Sequence, residues 1–517
     1  MSQQDNTHFL FSAVPSWGHI RSFCILAARI VNENENFVVT IIVAPSMLDK
    51  AHGEILAEFR DGVSEQTRQR VRVLSTFQST AVNPFEVMKQ LAETYAAAYQ
   101  TLSEGKPVTC AVKETVFDAV SAPVAVILDF FALAQFQATR AITGHSIPIM
   151  AWVTGHASSR LRFFAPESMG GIGDFGAKVD AEAARTGASP EEIGNKLFNL
   201  TEGAIVKIPG LPDMYDYEYF PQKSRVDVPV TMIFKACYTV LKECDGVFMD
   251  SAYAFEKESL EAVKLLFSEW KKETYVVGPL LPSGYGTVAQ SNRGAVDIEA
   301  FLNEMLSKHG KHSVLLISFG TMFWPTAPEY VDEVIEALVE KKFPFIFAVT
   351  SPYSQIPDGL AEKVKASGLG MLTRWVPQQF ILNHPATGWF LSHCGQNGVT
   401  ESLASGIPLI AWPFGSDQPS AAAHLTENLN VAFELIEVRT GENGLKPLLR
   451  NGRAAKGTRE AVGVEIREVI DSCRGQKGKE LRENAEEIRT KFAEAWQENG
   501  ASRKELHTFL AKYANIA

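Results

Sequence analysis

The chain is 517 residues long, with 46% hydrophobic residues, 21% charged residues and a formal net charge of −11. That length exceeds what one hydrophobic core usually supports, so two domains are expected. The acidic balance excludes the broad basic field that holds nucleic acid, although a local anion pocket remains compatible with it.

The N-terminus, "MSQQDNTHFLFSAVPSWGHI", lacks a basic leader region, and no run of 18 or more apolar residues follows it, so no stable membrane insertion is expected. Six cysteines (24, 110, 237, 244, 394 and 473) stand without CxxC or Cys/His metal spacing. Free thiols, a reducing cytoplasmic compartment and a monomer are the expectation.

Short apolar runs of strand length alternate with helical patterns. The first series is "HFLFSAV" (8–14), "FVVTIIVA" (37–44), "VRVLST" (71–76), "VAVILD" (124–129), "IPIMAWV" (147–153) and "DGVFMD" (245–250). The second is "HSVLLISFG" (312–320), "FPFIFAVT" (343–350), "GMLTRWV" (370–376), "TGWFLSH" (387–393), "IPLIAWP" (407–413) and "VAFELI" (431–436). Continuous apolar runs separated by helices describe strands buried on both faces, hence an α/β protein with two doubly wound parallel-sheet domains. The expected domains are 1–278, with a helical insertion at about 160–245, and 298–490. A linker rich in Gly, Pro and Ser joins them at 279–297, and a C-terminal helix at 491–517 packs back on the first domain.

Taken in chain order, "PSWGHIRSFCILAARIV" follows the first strand. Gly18 permits a tight turn, and Ile20, Phe23, Ala27 and Val31 recur at helical spacing. His19 therefore falls between a strand end and a helix start, in the crevice where open α/β sheets bind ligands. It reads as a general base, or equally as a cap or pocket wall, until a partner is found. Asp129 closes another strand of the same domain and is the natural carboxylate to orient that imidazole; its plainer role is to cap the following helix. "FFALAQF" (130–136) and "AWVTGHASSRLRFF" (151–164) suggest an apolar, aromatic-lined site for a lipophilic small molecule, with Phe130 and Trp152 on its wall, or simply domain core. "GGIGDFG" (170–176) has G-x-G-x-x-G spacing, but no strand leads into it, so a flexible loop is favoured over a dinucleotide site.

In the second half, "TGWFLSH" delivers His393 to a strand end, Gly395 and Gly398 let backbone approach a ligand, and "NGVTESLAS" begins a helix. Strand, glycine turn and helix N-terminus make an anion site for phosphate. No second ligand stands at metal spacing, so no metal is expected. Trp375 can stack on a nucleobase and Gln378 can read its edge. Glu401, one turn beyond Asn397, suits ribose hydroxyls, and Asp417 with Gln418 suits those of a sugar.

The stretch from Trp375 to Gln418, 44 residues long, resembles the signature box of the family 1 UDP-dependent glycosyltransferases of the plant secondary-product type. "PSWGHIRS" is similar to that family's N-terminal base loop, "LISFGT" to its phosphate-contacting strand end, and "AWQENGASRKELHTFLAKY" to its C-terminal helices. The resemblance implies the GT-B architecture, two Rossmann-like domains facing a cleft, with a UDP-sugar as co-substrate and no cofactor. It implies His19 as base and Asp129 as its partner. Trp375, the backbone of Val376, and Gln378 would hold uracil, and Glu401 the ribose; His393, Asn397 and Thr321 would hold the phosphates, and Asp417 and Gln418 the sugar. It further implies inverting transfer, glucose as the default donor, to a hydroxyl of a lipophilic acceptor. The family's usual tryptophan is Gln396 here, near the sugar, and its serine is Gly398, near a phosphate. A non-catalytic UDP-sugar-binding protein and an NAD-dependent oxidoreductase are the alternatives.

Overall fold

The computed structural model describes residues 6–59, 63–81, 83–223, 228–286, 293–321 and 323–513. In the first half, strands β1 (Thr7–Ser12), β2 (Phe37–Ile42), β3 (Val71–Leu74), β4 (Val108–Thr109), β5 (Val116–Phe117) and β6 (Pro123–Asp129) are followed by β7 (Ile149–Val153), β8 (Ile205–Val206), β9 (Met214–Tyr215), β10 (Gly246–Met249) and β11 (Glu273–Val276). The second half holds β12 (Val314–Ser318), β13 (Phe345–Ala348), β14 (Gly370–Thr373), β15 (Thr387–Ser392), β16 (Leu409–Ala411) and β17 (Ala432–Glu434). Seven of them form one sheet in the order β11-β10-β7-β6-β1-β2-β3, and six form another in the order β14-β13-β12-β15-β16-β17. Pairing within both large sheets is parallel, whereas β4–β5 and β8–β9 are two-residue antiparallel ladders.

Each sheet starts in its middle, builds outward to one side, then returns to build the other. The order therefore reverses between β1 and β6 in the first sheet and between β12 and β15 in the second. Ser12 pairs with Leu128 at the first reversal, and Ser318 with Ser392 at the second. Doubly wound sheets bind ligands outside the carboxyl ends of strands at such reversals. His19 and Asp129 follow from the first, Thr321 and His393 from the second.

Burial on both faces explains the uninterrupted apolar strands. In β12, Val314 and Leu316 join the core on one face while Leu315 and Ile317 join the core on the other. Three features lay outside the sequence expectations. Strand β11 is an edge that begins on exposed Glu273, and the two short ladders carry too few residues for a periodic signal. Trp375 stands in the loop after β14 rather than within a strand.

Between β7 and β10 the chain inserts helices Ala157–Phe164, Phe175–Thr186, Pro190–Asn199 and Val230–Glu243. The glycine run is a packed turn between two of these elements. Asp174 caps the helix Phe175–Thr186 by accepting from the Ala177 N–H at 2.9 Å, and a Cβ on Gly171 would meet the Ala165 carbonyl at 1.9 Å. With a helix rather than a strand before it, it lacks the geometry of a dinucleotide loop. At the other end of the chain, helix Gln476–Glu494 packs on the second domain and helix Ala501–Leu510 returns to the first. Phe509 reaches the rings of Phe248 at 4.8 Å and Phe9 at 5.9 Å.

Candidate active site

After β1, helix Trp17–Glu33 starts without a side-chain cap, and His19 lies in its first turn, facing the cleft. Its Nδ1 meets Asp129 Oδ2 at 2.7 Å and Thr154 Oγ1 at 3.2 Å. Asp129 is fully buried at the end of β6, and its other oxygen accepts the Phe131 N–H at 3.0 Å. A carboxylate acceptor on Nδ1 assigns the ring proton there and leaves Nε2 with a lone pair for substrate. Asp129 thus orients the imidazole and closes the turn after β6; it does not cap the following helix, whose N-cap, Ala132, has no side-chain cap.

The expected acceptor wall needs correction. Phe130 and Trp152 are both 0% exposed. Trp152 packs on Phe23 at 4.6 Å and donates from its indole N–H to the His19 carbonyl at 3.3 Å, so it supports the backbone that carries His19. Phe131, only partly buried, is the ring that faces the imidazole, edge-on at 5.4 Å.

On the opposite side, β15 ends at Ser392 and helix Gln396–Ala404 begins with Gly395 as N-cap, with no side-chain cap and no acidic residue in its first turn. Those first N–H groups and the helix dipole are free to meet an anion. Cys394 takes φ 68°, a left-handed conformation that non-glycine residues adopt only when their surroundings demand it; here it swings the chain from strand to helix. The His393 ring fills the space that side chains on Gly320 and Gly395 would occupy, with added Cβ atoms 3.0 and 2.5 Å from it. Burial pulls its pKa down to about 4, so it is a neutral donor near pH 7, and its Nδ1 has no partner among the described residues. Thr321 is exposed beside Gly320. Gly398 is buried, and a Cβ there would press the Phe390 ring at 3.3 Å, a tight fit for the family's serine.

The remaining donor-side residues converge with two adjustments. Trp375 is 51% exposed, leaving its ring accessible, and Val376 after it is partly buried against the second domain's apolar core. Gln378 donates to Glu401 Oε2 at 2.6 Å, so it is tied to the ribose candidate rather than standing free. Gln418 is buried, and its carbonyl accepts from the N–H groups of Phe414 and Gly415 at 2.9 and 3.3 Å. It shapes the loop that presents Asp417, the more open of the two. Gln396 has a buried amide oxygen without a partner among the described residues.

The two halves meet across the cleft. Asn397 donates to the Gly18 carbonyl at 3.0 Å, and a Cβ on Gly18 would stand 3.2 Å from that amide, so glycine admits the approach. Arg21 pairs with Glu401, and also with Glu54 at 3.0 Å; Glu54 in turn binds Arg293 at 2.9 Å. Linear reading missed this ion cluster because its members lie on separate elements with no shared spacing. Among the described residues no group of three or more His, Cys, Asp or Glu side chains stands together as a metal site, and no helix is long and apolar enough to cross a membrane.

Residues 258–452 match the family model described as "UDP-glucoronosyl and UDP-glucosyl transferase". The chain is 31% identical over 522 residues to UDP-glycosyltransferase eriJ of Hericium erinaceus, covering 97% of this chain and 98% of that one. It is 24% identical over 531 residues to UDP-glycosyltransferase 72B1 of Arabidopsis thaliana, covering 99% and 97%. Among solved structures, a UGT transferase from Siraitia grosvenorii in complex with UDP matches with TM-score 0.69 at 19% identity, over 98% of this chain and 99% of that one. UGT2 of Phytolacca americana, complexed with UDP-2fluoro-glucose and pterostilbene, matches with TM-score 0.66 at 19% identity, over 99% and 100%. These two share the GT-B fold with the two facing sheets described above. The chain belongs to the UDP-glycosyltransferase family and is a UDP-dependent glycosyltransferase.

Proposed function

We propose that this enzyme moves a sugar, glucose by default, from a UDP-α-sugar to a hydroxyl of a lipophilic small molecule, with inversion to a β-glycoside. The observation that carries the reading is the 2.7 Å contact of His19 with buried Asp129, set against an uncapped helix N-terminus across the cleft. His19 Nε2 takes the acceptor proton as the acceptor oxygen attacks the anomeric carbon, and the bond to UDP breaks with its electron pair leaving on the diphosphate. Asp129 stabilises the imidazolium. The first N–H groups of helix Gln396–Ala404, with neutral His393, Asn397 and Thr321, meet the charge on the departing phosphate. Trp375 and Val376 hold uracil, Glu401 with Gln378 the ribose, and Asp417 the sugar. The reaction needs neither cofactor nor metal, and activity should survive excess EDTA.

The pterostilbene bound by the Phytolacca americana relative supports a lipophilic acceptor, and its UDP-2fluoro-glucose supports glucose. All six cysteines are free and buried, which supports a reducing, cytoplasmic setting, and the chain is read as a monomer that binds no nucleic acid. A mass-spectrometric screen of several UDP-sugars against phenols, alcohols and sterols, with the anomeric coupling of the product read by NMR, tests the proposal. An α-linked product would overturn the single displacement, and UDP binding without any product would favour a non-catalytic UDP-sugar binder.

A further inference from the structure

The displacement described above leaves Arg160 unused. It sits in helix Ala157–Phe164 just beyond β7 and is only 7% exposed. Its Nε and one terminal nitrogen donate to Ser159 Oγ at 3.2 and 2.9 Å, and among the described residues that neighbouring hydroxyl is its only hydrogen-bond acceptor. Aromatic rings surround it, Phe130 at 5.0 Å, Phe163 at 5.8 Å and Phe164 at 5.9 Å. Nearby carboxylates are engaged elsewhere. Glu256 accepts from the N–H groups of Ala157 and Ser158 at 2.6 and 3.0 Å and from Ser251 Oγ at 2.5 Å, while Asp129 holds His19 and the Phe131 N–H. Asp417 lends Coulombic support without forming an ion pair. A guanidinium carries five donors; here one terminal nitrogen still reaches solvent, and with a single hydroxyl partner for the rest the largely buried cation is incomplete until an anion joins it.

Its position says which anion. A Cβ on Gly155, which has φ 90°, would stand 2.9 Å from the Arg160 terminal nitrogen and 3.6 Å from Asp417 Oδ2. Across the bare backbone of this part-exposed residue, the cation therefore faces the carboxylate assigned to the donor sugar. Thr154, the preceding residue, touches the base. Arg160 borders acceptor and sugar alike, and its planar fork matches a carboxylate.

We propose that Arg160 binds a substrate carboxylate, carried either by an aromatic acid acceptor or by a uronic-acid sugar on the donor. The inference rests on the placement of acceptor and sugar beside His19 and Asp417 given above. Two paired comparisons on the full-length enzyme test it: 4-hydroxybenzoate against its methyl ester with UDP-glucose, and UDP-glucuronate against UDP-glucose with a neutral phenol. The expected result is a kcat/KM at least tenfold higher for the carboxylated member of one pair, falling to within threefold of its partner in Arg160→Met and partly restored in Arg160→Lys. Preference in the first pair assigns the carboxylate to the acceptor, and preference in the second assigns it to the sugar. Equal rates within both pairs, or a preference that survives Arg160→Met, overturns the proposal. If no member of either pair gives product, glycosyl transfer as proposed has failed. Calorimetry of benzoate against methyl benzoate on the wild-type protein then decides the anion site by itself: at least tenfold tighter benzoate binding upholds it, and equal binding rejects it.

Discussion

Strands β1 and β15 each deliver a histidine from a buried strand into the start of a helix that lacks a side-chain cap, yet the two rings have different surroundings. His19 has a buried carboxylate at 2.7 Å, and its ring remains part-exposed to the cleft. His393, likewise part-exposed, is wedged between glycines with no partner for Nδ1 among the described residues, and desolvation of the ring holds it uncharged until about pH 4. A shared local motif thus gives a carboxylate-paired imidazole, the proposed base, in one place and an imidazole without a carboxylate, the proposed neutral donor, in the other. The deciding difference is the long-range partner, because an imidazole can accept a proton in the transition state only where its charge is met.

Removing the partnered ring should do the most damage. His19→Ala is expected to lower kcat by roughly two to four orders of magnitude, the usual contribution of general-base catalysis, with UDP affinity by calorimetry nearly unchanged. Near-normal turnover with an ordinary alcohol acceptor would remove His19 from the mechanism. Asp129→Asn keeps the shape and withdraws the charge, so kcat should fall by about a hundredfold while UDP binding persists. Unchanged product formation would reduce Asp129 to a turn-forming residue.

On the other side of the cleft the effects should fall on binding. Trp375→Ala and Glu401→Ala should each weaken UDP by about 1–3 kcal/mol, through lost stacking or a lost buried hydrogen bond. Wild-type titration curves for both would dismantle the nucleotide site. The burial of His393 also predicts a pH dependence of stability. Its folded pKa of about 4 lies below the ordinary 6.5, so its contribution is complete above pH 6.5 and is lost as pH falls toward 4. Fully buried His8, pulled down to about 3 by burial between Thr40 and Ser121, has the same sign. Each should cost on the order of 2 kcal/mol at pH 5. Asp250 opposes them, since burial raises its carboxyl to about 6 and its contribution is lost as pH rises through that value. Melting temperatures should therefore drop between pH 7 and pH 5, less steeply in His393→Gln; an equal slope would show that burial of this ring is not responsible.

The smallest effect is expected at the departure from the family pattern. Gln396→Trp should leave UDP-glucose turnover within about tenfold, or roughly 1.4 kcal/mol, because the helix N-terminus supplies backbone contacts that any side chain allows. Its amide oxygen is nevertheless buried without a partner among the described residues, so the order among UDP-glucose, UDP-galactose and UDP-xylose should shift. An unaltered order in competition assays would leave the sugar to Asp417 and the backbone.

Both sheets were legible in the sequence because strands buried on two faces must be continuously apolar, and twelve such runs matched strands. Strand β11 was not, since it opens on exposed Glu273 and part-exposed Thr274, which leave too short an apolar run to read as a strand. The dyad was legible as two strand ends of one domain, although only folding joins residues 110 positions apart. Aromatic content alone misplaced Phe130 and Trp152, since a large ring fits a core as readily as a pocket wall. Arg21 and Arg160 stayed unread because the spacing of a charge carries no sign of which carboxylates lie beside it in space, or which are already taken.

The returning helix Ala501–Leu510 has a consequence for biosynthesis. Phe509 and Tyr513 belong to the same apolar core as Phe9, with Tyr513 edge-on to it at 5.5 Å. During translation the first sheet therefore leaves the ribosome long before the residues that seal its β11 side, and the whole second domain is made in the interval. Domains generally fold as units as they emerge, and transiently uncovered apolar surface is where aggregation starts. The nascent first domain is thus exposed to that hazard until the last helix docks, and chaperone dependence should concentrate in that interval rather than in the finished enzyme.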